Sequence, residues 1–203
     1  MKSFISFVIS TILLMLSGFL TDASTTPDNS ENVLIEVLNN QRCFVTENGR
    51  SIYIKDYVNN WIDNSEPFEA EVLSYAVVDF DDDGENEIVA SIKTDPRPNY
   101  VCLFVLHYDG QDVWGFMFGV RELHDLKTDG SFISTGGAGT HFYCRLSFEN
   151  NQRNISYLAV KDDMGYRYEI NGNICTVDEV DQYIREWESK EAVPWISFTE
   201  AGY

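Results

Sequence analysis

The sequence predicts an α+β domain: a twisted antiparallel β-sheet meander with short N-terminal helices and one C-terminal helix packed on it. Three observations predict this class. Strand-like runs separated by turn dipeptides fill the centre of the chain. Apolar residues at helical spacing occur only before and after that region. The capping box Thr176-Val177-Asp178-Glu179 opens the last helix.

Lys2 followed by the apolar run Phe4–Leu20 and the small residues of Thr21-Asp22-Ala23 reads as a secretory signal, residues 1–23, cut near Ala23. The other reading of this run is a retained membrane anchor. No Cys follows it, which argues against lipid modification. Residues 24–30 form a polar linker, and residues 31–203 are one domain. Ser30 is placed to cap a helix in which Val33, Leu34, Val37 and Leu38 share a face, with Asn39-Asn40 ending it. Asn48-Gly49 marks a turn before Ile52–Ile54, and Tyr57, Val58, Trp61 and Ile62 suggest a second helix.

Ser74–Asp79 and Ile88–Ile92 read as strands flanking an acidic loop. Further strands are expected at Val101–Tyr108, Val113–Phe118, Ser131–Ser134, His141–Phe148, Ile155–Val160 and Tyr166–Ile170. Asp109-Gly110, Asp129-Gly130, Asn150-Asn151 and Asn171-Gly172 punctuate them as turns. Thr135–Thr140, rich in glycine, is expected to be a mobile loop, and Trp195 to fold its indole back on the sheet.

The net charge of −19, from 33 acidic against 14 basic residues, excludes nucleic acid and disfavours anionic membrane surfaces. The 4 cysteines, Cys43, Cys102, Cys144 and Cys175, have no zinc-site spacing. In an exported chain they permit two disulfides in three connectivities, and at least one is expected. Cys102 and Cys144 also lie in predicted strands, where a free thiol serves as a small core hydrophobe.

The segment Tyr75–Ile88 crowds the carboxylates of Asp79, Asp81, Asp82, Asp83, Glu85 and Glu87 into one turn. They repel one another unless a cation sits among them. Asp79, Asp81 and Asp83 occupy the first, third and fifth places of an oxygen-donor Ca²⁺ loop, and Gly84 supplies the sharp reversal. Glu85 is placed to offer its backbone carbonyl and Glu87 its carboxylate. An EF-hand needs Glu at the twelfth place, which Ala90 occupies here, and its flanks are helical rather than extended. The expected metal site is therefore Asp79, Asp81, Asp83, Glu85 and Glu87, holding Ca²⁺.

The stretch V-V-D-F-D-D-D-G-E-N-E-I-V resembles the calcium loop of FG-GAP or VCBS type repeats, D-x-D-x-D-G-x-x-D/E followed by apolar residues. Propellers of that type repeat the loop in every blade, whereas here it occurs once. The wider chain is similar to a group of uncharacterised exported proteins of Gram-positive bacteria. The likeness rests on this loop, the turn Tyr108-Asp109-Gly110, the segment Asp129–Ala138 and Ile170-Asn171-Gly172 before a final acidic helix. It implies an extracellular or wall-associated place and calcium, and supplies no catalytic residues.

The remaining candidates are weaker. His107, His124 and His141 have no paired-ligand spacing, and His124 and Asp125, as neighbours on a strand, are expected to point to opposite faces. Trp114, Phe116 and Phe118 alternate on one face, as a core stripe or a sugar-stacking platform. The expectation is a secreted, acidic, calcium-binding and non-enzymatic binding or cell-wall-associated module. Its expected partners are a calcium ion and a carbohydrate or a wall or host-surface component; a membrane enters only if the N-terminal segment is retained. The alternative is a secreted hydrolase acting on glycan or peptide with structural calcium.

Overall fold

The computed structural model describes residues 29–61, 70–94, 101–119 and 121–199. The expected signal segment lies outside them, as does Ile62. Among the described residues no helix is long and apolar enough to cross a membrane.

The fold is α+β. The chain begins with helix α1 (Asn29–Leu38), whose buried face is Val33, Leu34, Val37 and Leu38. Asn40, with φ +58°, turns the chain out of it. Ser30 lies within this helix rather than capping it, and its hydroxyl is buried without a partner. The hairpin β1 (Phe44–Thr46) and β2 (Ser51–Ile52) follows, turned at Gly49, and then helix α2 (Ile54–Trp61).

Strands β3 (Glu71–Val78), β4 (Glu87–Lys93), β5 (Val101–Tyr108) and β6 (Val113–Phe118) form an antiparallel meander. Strand β1 adds to β6 in parallel. Strands β7 (Ser131–Thr135), β8 (Thr140–Glu149), β9 (Gln152–Asp162), β10 (Tyr168–Ile170) and β11 (Asn173–Ile174) form a second, antiparallel sheet. Helix α3 (Val177–Glu188) follows, and β12 (Ile196–Ser197) returns to the edge of β3. The strands thus divide into a seven-stranded mixed sheet and a five-stranded antiparallel sheet, where one meander was expected.

The division has a physical cause. Strand β4 is buried on both faces, so each face needs a cover. Ile88, Ala90 and Ile92 pack under α1 and α2 together with Phe104 and Leu106 of β5. Val89 and Val105 face the other way, with Phe116 and Phe118, against Phe132, Cys144 and Leu146 of the second sheet. The outer face of that sheet, with Ile133, Tyr143 and Ala159, is covered by Val180, Ile184 and Trp187 of α3. The layers therefore run helices, sheet, sheet, helix.

The capping box of α3 forms as expected, with the Thr176 side chain accepting from the Glu179 N–H and the Glu179 side chain reaching back. Within Thr135–Thr140, Gly137–Gly139 make a 3-10 turn, and the Gly136 N–H donates to the Thr140 carbonyl at 2.9 Å. Trp195 does not fold back on the sheet and is 43% exposed; Val193 fills that role, buried between the sheets.

The expected disulfide is not formed. All four cysteines are free, Cys102 in the core under the helices, Cys144 between the sheets, Cys175 beside α3 and Cys43 exposed. Burial in separate layers accounts for Cys102 and Cys144, which serve as core residues rather than as a cross-link.

Candidate metal centre

The acidic loop joins β3 to β4 at one end of the sheet sandwich. Phe80 anchors it: its ring is fully buried between the sheets and meets Phe132 edge-on, with centroids 6.3 Å apart. Past this pin the carboxylate of Asp79 organises the turn. Its Oδ1 accepts the N–H groups of Asp82 at 2.7 Å and Asp83 at 3.2 Å, and its Oδ2 that of Gly84 at 2.9 Å. Asp83 Oδ1 accepts the Glu85 N–H at 2.8 Å. Asp82 (φ +64°) and Gly84 (φ +92°) take left-handed backbone and fold the chain around the acids.

One carboxylate oxygen from each of Asp79, Asp81 and Asp83 lies within 4.8 Å of the others. Calcium–oxygen bonds are about 2.3–2.6 Å long, so oxygens bound to one ion cannot lie farther apart than about 5 Å. The spacing meets that condition. Asp81 Oδ2 accepts the Phe148 N–H at 3.2 Å, which ties the loop to β8 of the second sheet. Its Oδ1 is buried and has no hydrogen-bond partner. Burial pushes the Asp81 carboxyl above its ordinary range; the Phe148 N–H opposes this, and the negative charges of Asp83 and Asp79 add to it.

Glu85 and Glu87 stand outside the convergent trio. Glu85 is exposed. Glu87 is 1% exposed and turns inward, because alternation along β4 places it with Val89 on the face between the sheets. Its Oε2 accepts the Phe80 N–H at 3.1 Å, and its Oε1 lies 2.9 Å from His107 Nδ1. Burial raises the Glu87 carboxyl against the lowering effect of the His107 and Phe80 hydrogen bonds. The His107 ring stacks on Phe148 with centroids 4.3 Å apart and planes 10° from parallel. Glu87 thus braces the loop from beneath while Asp81 holds it from the side.

The residues present fit a hard cation. The donors are carboxylate oxygens, the turn is closed by glycine, and a buried anionic oxygen is left over for a ligand. Ca²⁺ bound here would offset the charge of the trio, with water or backbone oxygen completing its usual six to eight ligands.

Sequence reasoning missed His107, Phe148 and Gly130 as parts of this centre. Gly130 (φ +74°) lies against the loop: a Cβ there would stand 2.7 Å from Phe80 Cα and 2.8 Å from the Asp79 carbonyl oxygen. For His107 the alternation of β5 held a signal, since it shares a face with Leu103 and Val105.

The other histidines lie apart. His124 and Asp125 do not point to opposite faces: Asp125 takes φ +51°, which brings its Oδ2 to 3.3 Å from His124 Nδ1. His124 Nε2 lies 2.7 Å from Thr135 Oγ1, and His141 Nε2 is 3.5 Å from Asp163 Oδ2. The aromatic stripe is core, with Phe116 and Phe118 fully buried and Trp114 donating its Nε1–H to Asp109 Oδ2 at 2.9 Å. No protein family, curated protein or solved structure matches this chain.

Proposed function

We propose that this chain is an exported, non-enzymatic binding domain whose acidic loop holds Ca²⁺ through Asp79, Asp81 and Asp83. The single observation that supports it best is the buried, unpartnered Oδ1 of Asp81 beside two further carboxylates. An anionic oxygen shut away from water is costly without a partner, and a divalent ion is the partner these donors suit. The signal-like residues 1–23 support export, where calcium is abundant enough for a site with a dissociation constant of about 10⁻⁴ to 10⁻³ M. The ion's role is to lock together the loop, β4 and the second sheet.

Thermal melting in calcium against chelator tests this. With about 10 mM calcium and that affinity range, binding to the folded state alone adds about 1.4–2.7 kcal/mol. The parent melt should rise by several degrees, and that of Asp81→Ala should not respond. A parent curve indifferent to calcium removes the metal from the account.

A further inference from the structure

We infer that the groove beside the acidic loop is a binding site for a neutral, hydroxyl-rich ligand of the saccharide class. It builds on the calcium reading only through Asp83, which borders both sites and whose charge the ion would offset.

Turns from both sheets meet at this end of the sandwich: the acidic loop, the β5–β6 turn at Asp109-Gly110 and the β8–β9 turn at Asn150-Asn151. Together with the first turn of α1 they enclose a groove of about 530 Å³. Loops gathered at one end of a rigid sandwich are a common placement for ligand contact. The stacked rings of His107 and Phe148 border the groove, and the bond from His107 to Glu87 fixes them. The His107 side chain is only 13% exposed, so it is the half-buried Phe148 that supplies apolar contact for the C–H face of a sugar ring.

The polar groups of the wall are poised but unused. The side chains of Asn150, Asn151 and Glu85 make no hydrogen bond with other described residues. Asn150 (φ +51°) and Asn151 (φ +62°) are successive left-handed residues, so the tight hairpin turn holds both at the rim. Ser30 also borders the groove; it is 5% exposed, and its hydroxyl has no partner. Buried hydroxyls are seldom left without one.

Charge selects the ligand. Among the described residues no Lys or Arg lines the groove, which disfavours phosphate, sulfate and carboxylate groups. Of the carboxylates on the wall, that of Glu85 makes no hydrogen bond with other described residues, whereas that of Asp109 is engaged. Asp109 already accepts from the N–H groups of Gln111 and Asp112 and from Trp114 Nε1–H. What remains is amide, hydroxyl, aromatic and carboxylate surface, the last from Asp83 and Glu85, and its acceptors match the vicinal hydroxyls of a neutral ring.

Calorimetric titration of the full chain in calcium, with maltotetraose, mannotetraose and N-acetylchitotetraose as neutral probes, tests the site. A heparin tetrasaccharide and spermidine serve as the anionic and cationic probes. At least one neutral probe should bind, and the two charged probes should not compete with it. Asn150→Gly/Asn151→Gly keeps a turn that glycine favours and removes both amides, weakening the neutral probe by about tenfold or more. Ser30→Ala deletes an oxygen that the fold leaves unpaired, so it should spare the melting curve and also weaken the probe. Parental affinity in both variants overturns the site, as does the absence of any neutral binding, or competition by heparin or spermidine. A calcium-responsive melt with no saccharide bound discards the groove alone; variant-sensitive saccharide binding with a calcium-indifferent melt discards the metal alone.

Discussion

The Glu87 carboxylate and the His107 imidazole meet at 2.9 Å between the two sheets, directly beneath the acidic loop. Glu87 also holds the Phe80 N–H, so one side chain joins β4, β5 and the base of the loop. Glu87→Ala would leave two buried partners unpaired, at about 1–3 kcal/mol each. Glu87→Gln keeps an acceptor for one of them and should cost less than half as much. Urea denaturation midpoints of the parent and both variants check the order.

Gly130 supports the same loop by being small. Gly130→Ala adds a Cβ that meets the Phe80 backbone at 2.7 Å, in a left-handed conformation. Overpacking and backbone strain together should remove about 2–5 kcal/mol. Gly172→Ala is the control: its φ of +76° is also left-handed, but nothing lies near the added Cβ. It should cost only about 1–2 kcal/mol. Denaturant melts of the two variants should separate clearly.

The thiols should react in an order set by layer. Burial pushes Cys102 up to about 11 and Cys144 up to about 12, whereas Cys43 is exposed. Since the thiolate is the reactive form, a disulfide reagent at mildly alkaline pH should label Cys43 first. Cys102 and Cys144 should react only when denaturant opens the core. Mass spectrometry of the labelled peptides reads the order, and early labelling of Cys144 would contradict its place between the sheets.

Acid stability should depend on Asp129. Burial raises its carboxyl, but the Lys190 ammonium at 2.7 Å and the bonds from Ser131 outweigh this and hold it below the ordinary value of 3.8. A depressed folded value means that the ionised form stabilises the fold above the unfolded value. That contribution is lost as pH falls through the lower folded value. Melting temperature should therefore fall less steeply below about pH 4 in Asp129→Asn than in the parent. Parallel pH profiles would show that the pair contributes nothing.

The local elements were legible in the chain. The bounds of β5 and β6, the capping box of α3 and the stop at Asn40 follow from alternation, turn residues and caps, each decided within a few neighbours. The convergence of Asp79, Asp81 and Asp83 was legible for the same reason: alternate acids before a glycine bend onto one centre by local backbone geometry. Tertiary structure alone decided that the strands form two sheets, that Glu87 braces the loop from within, and that Phe148 reaches both Asp81 and His107. Asp81 and Phe148 are 67 residues apart. Their contact depends on which sheet covers the second apolar face of β4, and short-range pattern records that the face is apolar without recording what buries it.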